Sequence, residues 1–295
     1  MINTPVQWDH WRSFIAVAEE GSLSGAARAL RLTQPTVGRH IDLLERAVGA
    51  GLFLRAPHGM SLTDLGRDLL PEARAMAAAA AALERTASAP LDAGRGIVRL
   101  TASEVVGAEI LPGVLSPLLA AHPGLEVELV LSNRNEDLLR READLAVRMA
   151  RPAQSGLVAR RIAVVRIGLY AHARYLAAHG TPQTPADLAG HLLIGPDRDE
   201  GPLAAMAAAG LDRRMLRFRC DREAAQLNAL RAGLGIGAAQ AGIARACPDL
   251  RPVLQSQFDF RLDCWLAMHE DLRASARVRL LFDHLAAHLP DALAG

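Results

Sequence analysis

The sequence predicts an α/β protein headed by a small all-α winged helix-turn-helix. Three observations carry that expectation. Within residues 14–66, short helical patterns and a turn precede a glycine-bounded arm, Leu52-Phe53-Leu54-Arg55 and Leu62-Thr63. An alanine-rich helical run through residues 76–83 follows, and Ala89-Pro90 with Gly94 and Gly96 then marks a change of texture. From there to the end, short apolar runs of strand length alternate with helical patterns, the signature of an α/β unit.

In the first helix Trp11, Phe14, Ile15 and Ala18 fall at helical spacing, and Gly21-Ser22 stops it and caps a second over residues 23–30. Thr33 can cap a third helix, with Pro35 in its first turn where a missing N–H costs least. Val37, Ile41, Leu44 and Val48 form one apolar stripe that Gly49 ends, leaving Thr36, Arg39, His40, Asp42 and Arg46 for other faces. Beyond Thr63 the alanine-rich helix runs to about Thr86, and Pro71 is expected to kink it early or mark a break. So much alanine suits either a dimerising linker helix or a solvated spacer.

Strands are expected at residues 97–100, 125–131, 144–147 and 166–170, and helices at 110–120 and 136–141, which implies a largely parallel sheet. A second set of elements takes in residues 185–189, 192–194 and 224–231. A late strand at 265–268 and a closing helix at 274–289 complete the chain. Gly233-Leu234-Gly235-Ile236-Gly237 reads as a tight structural turn rather than a dinucleotide fingerprint, because no clear strand precedes it. The resulting division is a winged helix-turn-helix domain at 1–66, a linker helix at 67–90 and an α/β domain at 91–295. Within the last, one lobe takes about 95–163 and 266–295, the other about 164–265.

Composition bounds the function. A chain of 295 residues, 51% hydrophobic and 22% charged, can bury separate cores and has the balance of a globular protein rather than a membrane bundle. The net charge is +1, and the first 66 residues set six Arg against six Asp and Glu. Any nucleic-acid contact must therefore come from local placement of charge. All 33 basic residues are Arg, spread over the whole length, which reads as compositional bias more than as a nucleic-acid signal. Cys220, Cys247 and Cys264 are odd in number and far apart, as expected of reduced thiols in core positions. The first ten residues lack a secretory pattern and no apolar run approaches membrane-helix length, so a cytoplasmic protein is expected.

A helix-turn-helix places its second helix in the major groove. Here that reader is residues 33–48, with Thr33, Gln34, Pro35 and Thr36 in its first turn and Arg39 one turn on. Gln can pair bidentately with adenine and Arg with guanine; the plainer alternative is a solvated helix face. No GxSxG elbow, Walker A loop or HExxH occurs, so no catalytic residue is expected. His284 and His288 could share a metal by spacing, but no acidic third ligand stands at motif distance, and no metal site is expected.

The N-terminal stretch resembles the LysR-type transcriptional regulators. The match runs through Phe14, Val17, Gly21-Ser22, Ser24, Ala26-Ala27, Leu30, Gln34-Pro35, Val37, Ile41, Leu44-Glu45, Gly49, Leu52-Phe53, Arg55, Leu62-Thr63 and Gly66, and continues more loosely through the remainder. One departure is Gly38, where that family usually carries Ser in the reader helix. The resemblance implies a wing at about 54–62, in which Arg55 and His58 approach phosphate or the minor groove. It implies two lobes like those of periplasmic solute-binding proteins, with a small-molecule effector in the cleft and no cofactor. It also implies a homodimer or dimer of dimers on double-stranded DNA.

For the cleft, the strand at 97–100 runs into Thr101-Ala102-Ser103-Glu104, and hydroxyls at a strand-to-helix junction suit an anion or simply cap the helix. Thr101 and Ser103 match positions where the family commonly binds effector. Glu104 would repel an acidic ligand or demand a cation from it. Arg148 emerges from a strand's carboxyl end, where open α/β sheets bind ligands, and is the candidate partner for a ligand carboxylate. Asn133-Arg134-Asn135 and Asp197-Arg198 follow strands in the same way, though turn chemistry accounts for both. A ligand-independent DNA-binding or architectural factor is the alternative; a cytoplasmic solute-binding protein or an enzyme is the alternative of another class.

Overall fold

The computed structural model describes residues 6–56, 59–87, 94–133, 143–152 and 156–294. These fall into two compact units, 6–87 and 94–294. His58, Arg134, Asn135 and the helix expected at 136–141 lie outside the described residues.

In the first unit three helices precede a hairpin: α1 (Trp8–Glu20), α2 (Leu23–Leu30), α3 (Gln34–Val48), β1 (Phe53–Ala56) and β2 (Gly59–Leu62), followed by α4 (Asp64–Ala87). The boundaries follow from local chemistry. Gly21 at φ +64° ends α1, and the Ser22 hydroxyl accepts the Gly25 amide at 3.0 Å to begin α2. Thr33 caps α3, and Gly49 at φ +79° closes it. Phe14, Val17, Ala26, Val37, Leu44 and Leu52 are fully buried together, each large side chain contributing roughly 1.5–3 kcal/mol.

Pro71 does not break α4, which runs through it as one helix. Its missing N–H costs a helical bond, but Leu69, Leu70 and Ala73 around it pack into the core against α1, and tertiary burial outweighs local propensity.

The second unit is built on one nine-stranded sheet. Its strands are β3 (Arg95–Ala102), β4 (Gly124–Leu131), β5 (Leu145–Arg148), β6 (Leu157–His172), β7 (Leu193–Gly195), β8 (Leu216–Arg219), β9 (Ile236–Gln240), β10 (Leu250–Val253) and β11 (Phe260–His269). They lie in the order β4-β3-β5-β11-β6-β9-β7-β8, with β10 beside β6. The sheet is mixed, not largely parallel. Strands β3, β4 and β5 pair in parallel, as do β7, β8 and β9, while every pairing of β6 or β11 is antiparallel. Each lobe has its own parallel βαβ winding, and the chain crosses between lobes on the long antiparallel pair β6 and β11. Their register slips between Cys264 and Trp265.

Strand β6 has 16 residues where five were expected, because ion pairs fill its solvent side. Arg161 reaches Asp263 at 2.8 Å and Arg166 reaches Asp259 at 3.0 Å, so charged residues interrupt the apolar pattern without interrupting the strand.

Helices α5 (Leu111–Ala121) and α10 (Ala276–Ala294) cover the first lobe, burying Leu111, Leu281, Leu285 and Leu289. The same core takes in Leu227 and Leu230 of α8 (Glu223–Arg231). Cys264 is fully enclosed there, and burial pushes its thiol up to about 12. A second core gathers Leu169, Tyr175, Leu188, Leu193, Ile236 and Phe258. Among the described residues no helix is long and apolar enough to cross a membrane.

Candidate nucleic-acid interface and ligand cleft

The first turn of α3 stands in solvent. Gln34, Pro35 and Arg39 are exposed, and no ion pair holds Arg39 among the described residues. Thr33 and Thr36 share a hydroxyl hydrogen bond of 2.8 Å, and the Thr33 hydroxyl accepts the Thr36 amide at 3.4 Å. These two residues therefore shape the helix start, while Gln34 and Arg39 project from it. Gly38 has space above it, since a Cβ there would approach only Leu23, at 4.0 Å. Packing does not require glycine at this position.

Three sets of contacts fix the arm. Glu45 of α3 accepts the amides of Leu52 and Phe53 at 2.6 and 3.1 Å, anchoring the start of β1. The Thr63 hydroxyl donates to the Gly51 carbonyl at 2.9 Å and accepts the Gly66 amide at 3.0 Å. At the other end the Met60 amide donates to the Gly21 carbonyl at 2.7 Å, and Gly59, at φ +136°, leaves a Cβ only 2.3 Å from that oxygen. The hairpin so held pairs Arg55 with Met60 by register.

Balanced overall charge still leaves arginines that no ion pair holds among the described residues. Asp9 is taken by Arg12 at 3.2 Å, Glu19 by Arg74 at 3.1 Å, Asp64 by Arg67, and Glu45 by backbone amides. Arg28, Arg31 and Arg39 remain exposed, with no ion pair among the described residues. Arg28 and Arg31, at the end of α2, went unnoticed in the sequence because net charge conceals which acids are already engaged.

Between α1 and α3 lies a buried polar cluster. The Ser13 hydroxyl and His40 Nδ1 are 2.8 Å apart, and the rings of His10 and His40 are 5.3 Å apart. Burial, then the neighbouring His40, lowers the pKa of His10, whose Nδ1 accepts the Gln7 amide at 3.3 Å.

In the second unit, five of the six candidate cleft residues converge at the carboxyl ends of β3, β4 and β5. Arg148, buried at the end of β5, donates to the Thr101 hydroxyl at 2.7 Å and to the Val147 carbonyl at 3.2 Å. Asn133, just past β4, accepts the Glu104 amide at 3.0 Å. Helical structure begins at Glu104, earlier than expected, and passes through a π-helical turn (Val106–Ile110) into α5. The Ser103 carbonyl accepts the first turn's Gly107 amide at 2.9 Å. Glu104 thus sits at a helix start, where a carboxylate is favoured.

Asp197 does not join them. Its carboxylate is engaged by Arg213 at 2.6 Å and Arg198 at 3.4 Å, and its amide donates to Asp221 at 2.7 Å. From the second lobe it is Arg222 that reaches across, meeting Glu104 Oε1 at 2.5 Å. Glu223 follows it, half-buried, and burial, then the charges of Glu104 and Asp199, raise its carboxyl, while a hydrogen bond with Asn133 opposes the shift. Further back, Arg231 of α8 clasps Glu109 through two bonds of 3.0 and 2.5 Å. Both ends of α8 are therefore tied to the segment that opens the first lobe's helix. His284 is engaged by backbone instead, its Nε2 standing 2.7 Å from the Val114 carbonyl.

Comparison with known proteins identifies the family of both units. Residues 8–67 match the bacterial regulatory helix-turn-helix protein model of the lysR family, and residues 92–290 match the LysR substrate binding domain. A probable HTH-type transcriptional regulator, LtrA of Klebsiella pneumoniae, is 28% identical over 96% of this chain and 94% of its own length. The structure of CrgA, a LysR-type regulator from Neisseria meningitidis, is 25% identical with TM-score 0.59, covering 95% of this chain and 98% of that one. Full-length CbnR, solved in complex with its target DNA, shares the fold at TM-score 0.65 and 21% identity, covering 95% and 99%. The chain belongs to the LysR family of helix-turn-helix transcriptional regulators, with an N-terminal helix-turn-helix and a two-lobed effector-binding domain.

Proposed function

We infer that this regulator binds a pseudo-palindromic promoter site in the cytoplasm and that a small-molecule effector in the interlobe cleft controls it. It carries no catalytic function and needs no cofactor. The reading rests on the exposed first turn of α3, where Gln34 and Arg39 are free to meet base edges while Thr33 and Thr36 hold the helix start. Arg28, Arg31 and Arg55 serve phosphate, which positions the protein without reading sequence. Thr101, Ser103, Glu104, Asn133 and Arg148 form the effector site, and Asp197 supports the second lobe's wall.

Self-association is supported by α4, on which Met76 and Leu83 are exposed seven residues apart on one face. A homodimer through this helix, or a dimer of dimers, presents two readers to two half-sites. CbnR's complex with its target DNA is a precedent within the fold.

The test is capture of fragments from the organism's own genome by the full chain, followed by sequencing. A discrete set of enriched upstream fragments sharing a two-fold motif is expected. Their affinity should fall steeply with salt, as phosphate contacts require. Uniform retention of all fragments would contradict sequence-specific promoter binding.

A further inference from the structure

Of the buried polar atoms in the effector site that lack a hydrogen-bond partner among the described residues, two stand side by side in sequence. Ser103 and Glu104 are each 7% exposed, and Ser103 Oγ and Glu104 Oε2 have no hydrogen-bond partner among the described residues. A buried carboxylate oxygen can only accept, and leaving it unmatched costs roughly 1–3 kcal/mol or more. The other oxygen, Oε1, is held from across the cleft by Arg222, whose side chain is 77% exposed. Glu223, the residue after Arg222, adds a second carboxyl group near Glu104, and the Asn133 amide stands against both.

A ligand carboxylate entering here would meet Glu104 at contact. An ammonium group would instead offer three donors to Glu104 Oε2, the Ser103 hydroxyl and the Glu223 carboxyl. Arg222 is well placed to yield, because its exposed side chain loses little on moving into water. Arg148 is turned toward Thr101 and the Val147 carbonyl, deeper along the strand ends.

Resting on the reading of this cleft as the effector site, we propose that it takes a ligand bearing a primary amine or similar cationic donor, which binds Glu104 in place of Arg222. Ligand entry exchanges one cation on Glu104 for another. The interlobe tie at the amino end of α8 is thereby released, while the Arg231 and Glu109 tie at its other end persists.

The test uses the full chain and a panel of primary amines, each paired with the carboxylic acid of the same carbon skeleton, read by ligand-observed NMR and thermal shift. Amines are expected to bind and their acids not to. Glu104→Gln should weaken amine binding on the order of tenfold, as expected when a charge-assisted hydrogen bond is removed. Arg222→Ala should tighten it several-fold, because the competing guanidinium is gone, and its exposure makes misfolding no explanation. Amine binding unchanged by both substitutions would overturn the proposal. Acid binding that Ser103→Ala or Thr101→Val abolishes would also overturn it, yet leave the cleft as the effector site. If no panel member binds in a manner that these substitutions alter, the cleft reading falls as well.

Discussion

The helix-turn-helix and the cleft are both polar sites on apolar scaffolds, yet they are assembled over very different distances. In the first, most fixing contacts join near neighbours in sequence, Ser22 with Gly25, Thr33 with Thr36, Glu45 with Leu52 and Thr63 with Gly66, while Met60 with Gly21 closes a longer loop. In the second, Glu104 meets Arg222 118 residues away and Arg148 meets Thr101 47 residues away. A reader of DNA can be specified by caps and turns. The cleft corner is held by bonds between elements far apart in the chain.

Substitutions can break this comparison at either end. The largest effect is expected at Gly59, where an alanine combines a positive φ with a Cβ driven into the Gly21 carbonyl. Gly59→Ala should cost about 3 kcal/mol in the N-terminal unit and abolish DNA binding, read by calorimetry and anisotropy, while leaving the melting of the second unit in place. Thr101→Val removes an acceptor from buried Arg148 and should destabilise the second unit by about 2 kcal/mol without touching the first.

Gln34→Ala and Arg39→Ala should each leave both units folded and remove about 1–3 kcal/mol of base discrimination, seen by binding to a library of mutated sites. Gly38→Ala should stabilise the first unit by up to about 1 kcal/mol, since a methyl group there meets open space. The smallest expected effect is on pH. Because burial holds the His10 pKa below 6.5, the unfolded chain takes up its proton first as pH falls through that value. Stability of the first unit should therefore decline below about pH 6.5, continuing until folded His10 also protonates. Replacing His10 with Phe should flatten that decline in thermal melts.

The same contrast explains what the sequence disclosed. The boundaries of α1, α2 and α3 follow from Gly21, Ser22, Thr33 and Gly49, each acting within four residues. Only residues 166–170 of β6 were legible, because charged residues such as Arg161, whose partner Asp263 lies about a hundred residues on, break the apolar pattern of its first half. End-of-strand logic leads to the shared corner of Thr101, Asn133 and Arg148, but misplaces Asp197, which Arg213 captures. Leu216-Arg217-Phe218-Arg219 alternates as a strand should, so the same logic applied there points to Arg222 and Glu223 just beyond. The interlobe pairing of Arg222 with Glu104 has no local signal.

The most direct test of DNA reading is a comparison of two variant pairs on one captured promoter fragment and its base-substituted set. Gln34→Ala with Arg39→Ala should flatten the preference among sequences. Arg28→Ala with Arg31→Ala should weaken all sequences alike and lower the salt slope by about 1 for each phosphate that the protein no longer neutralises. Sequence preference that survives the removal of both Gln34 and Arg39 side chains would contradict the assignment of α3 as the reader.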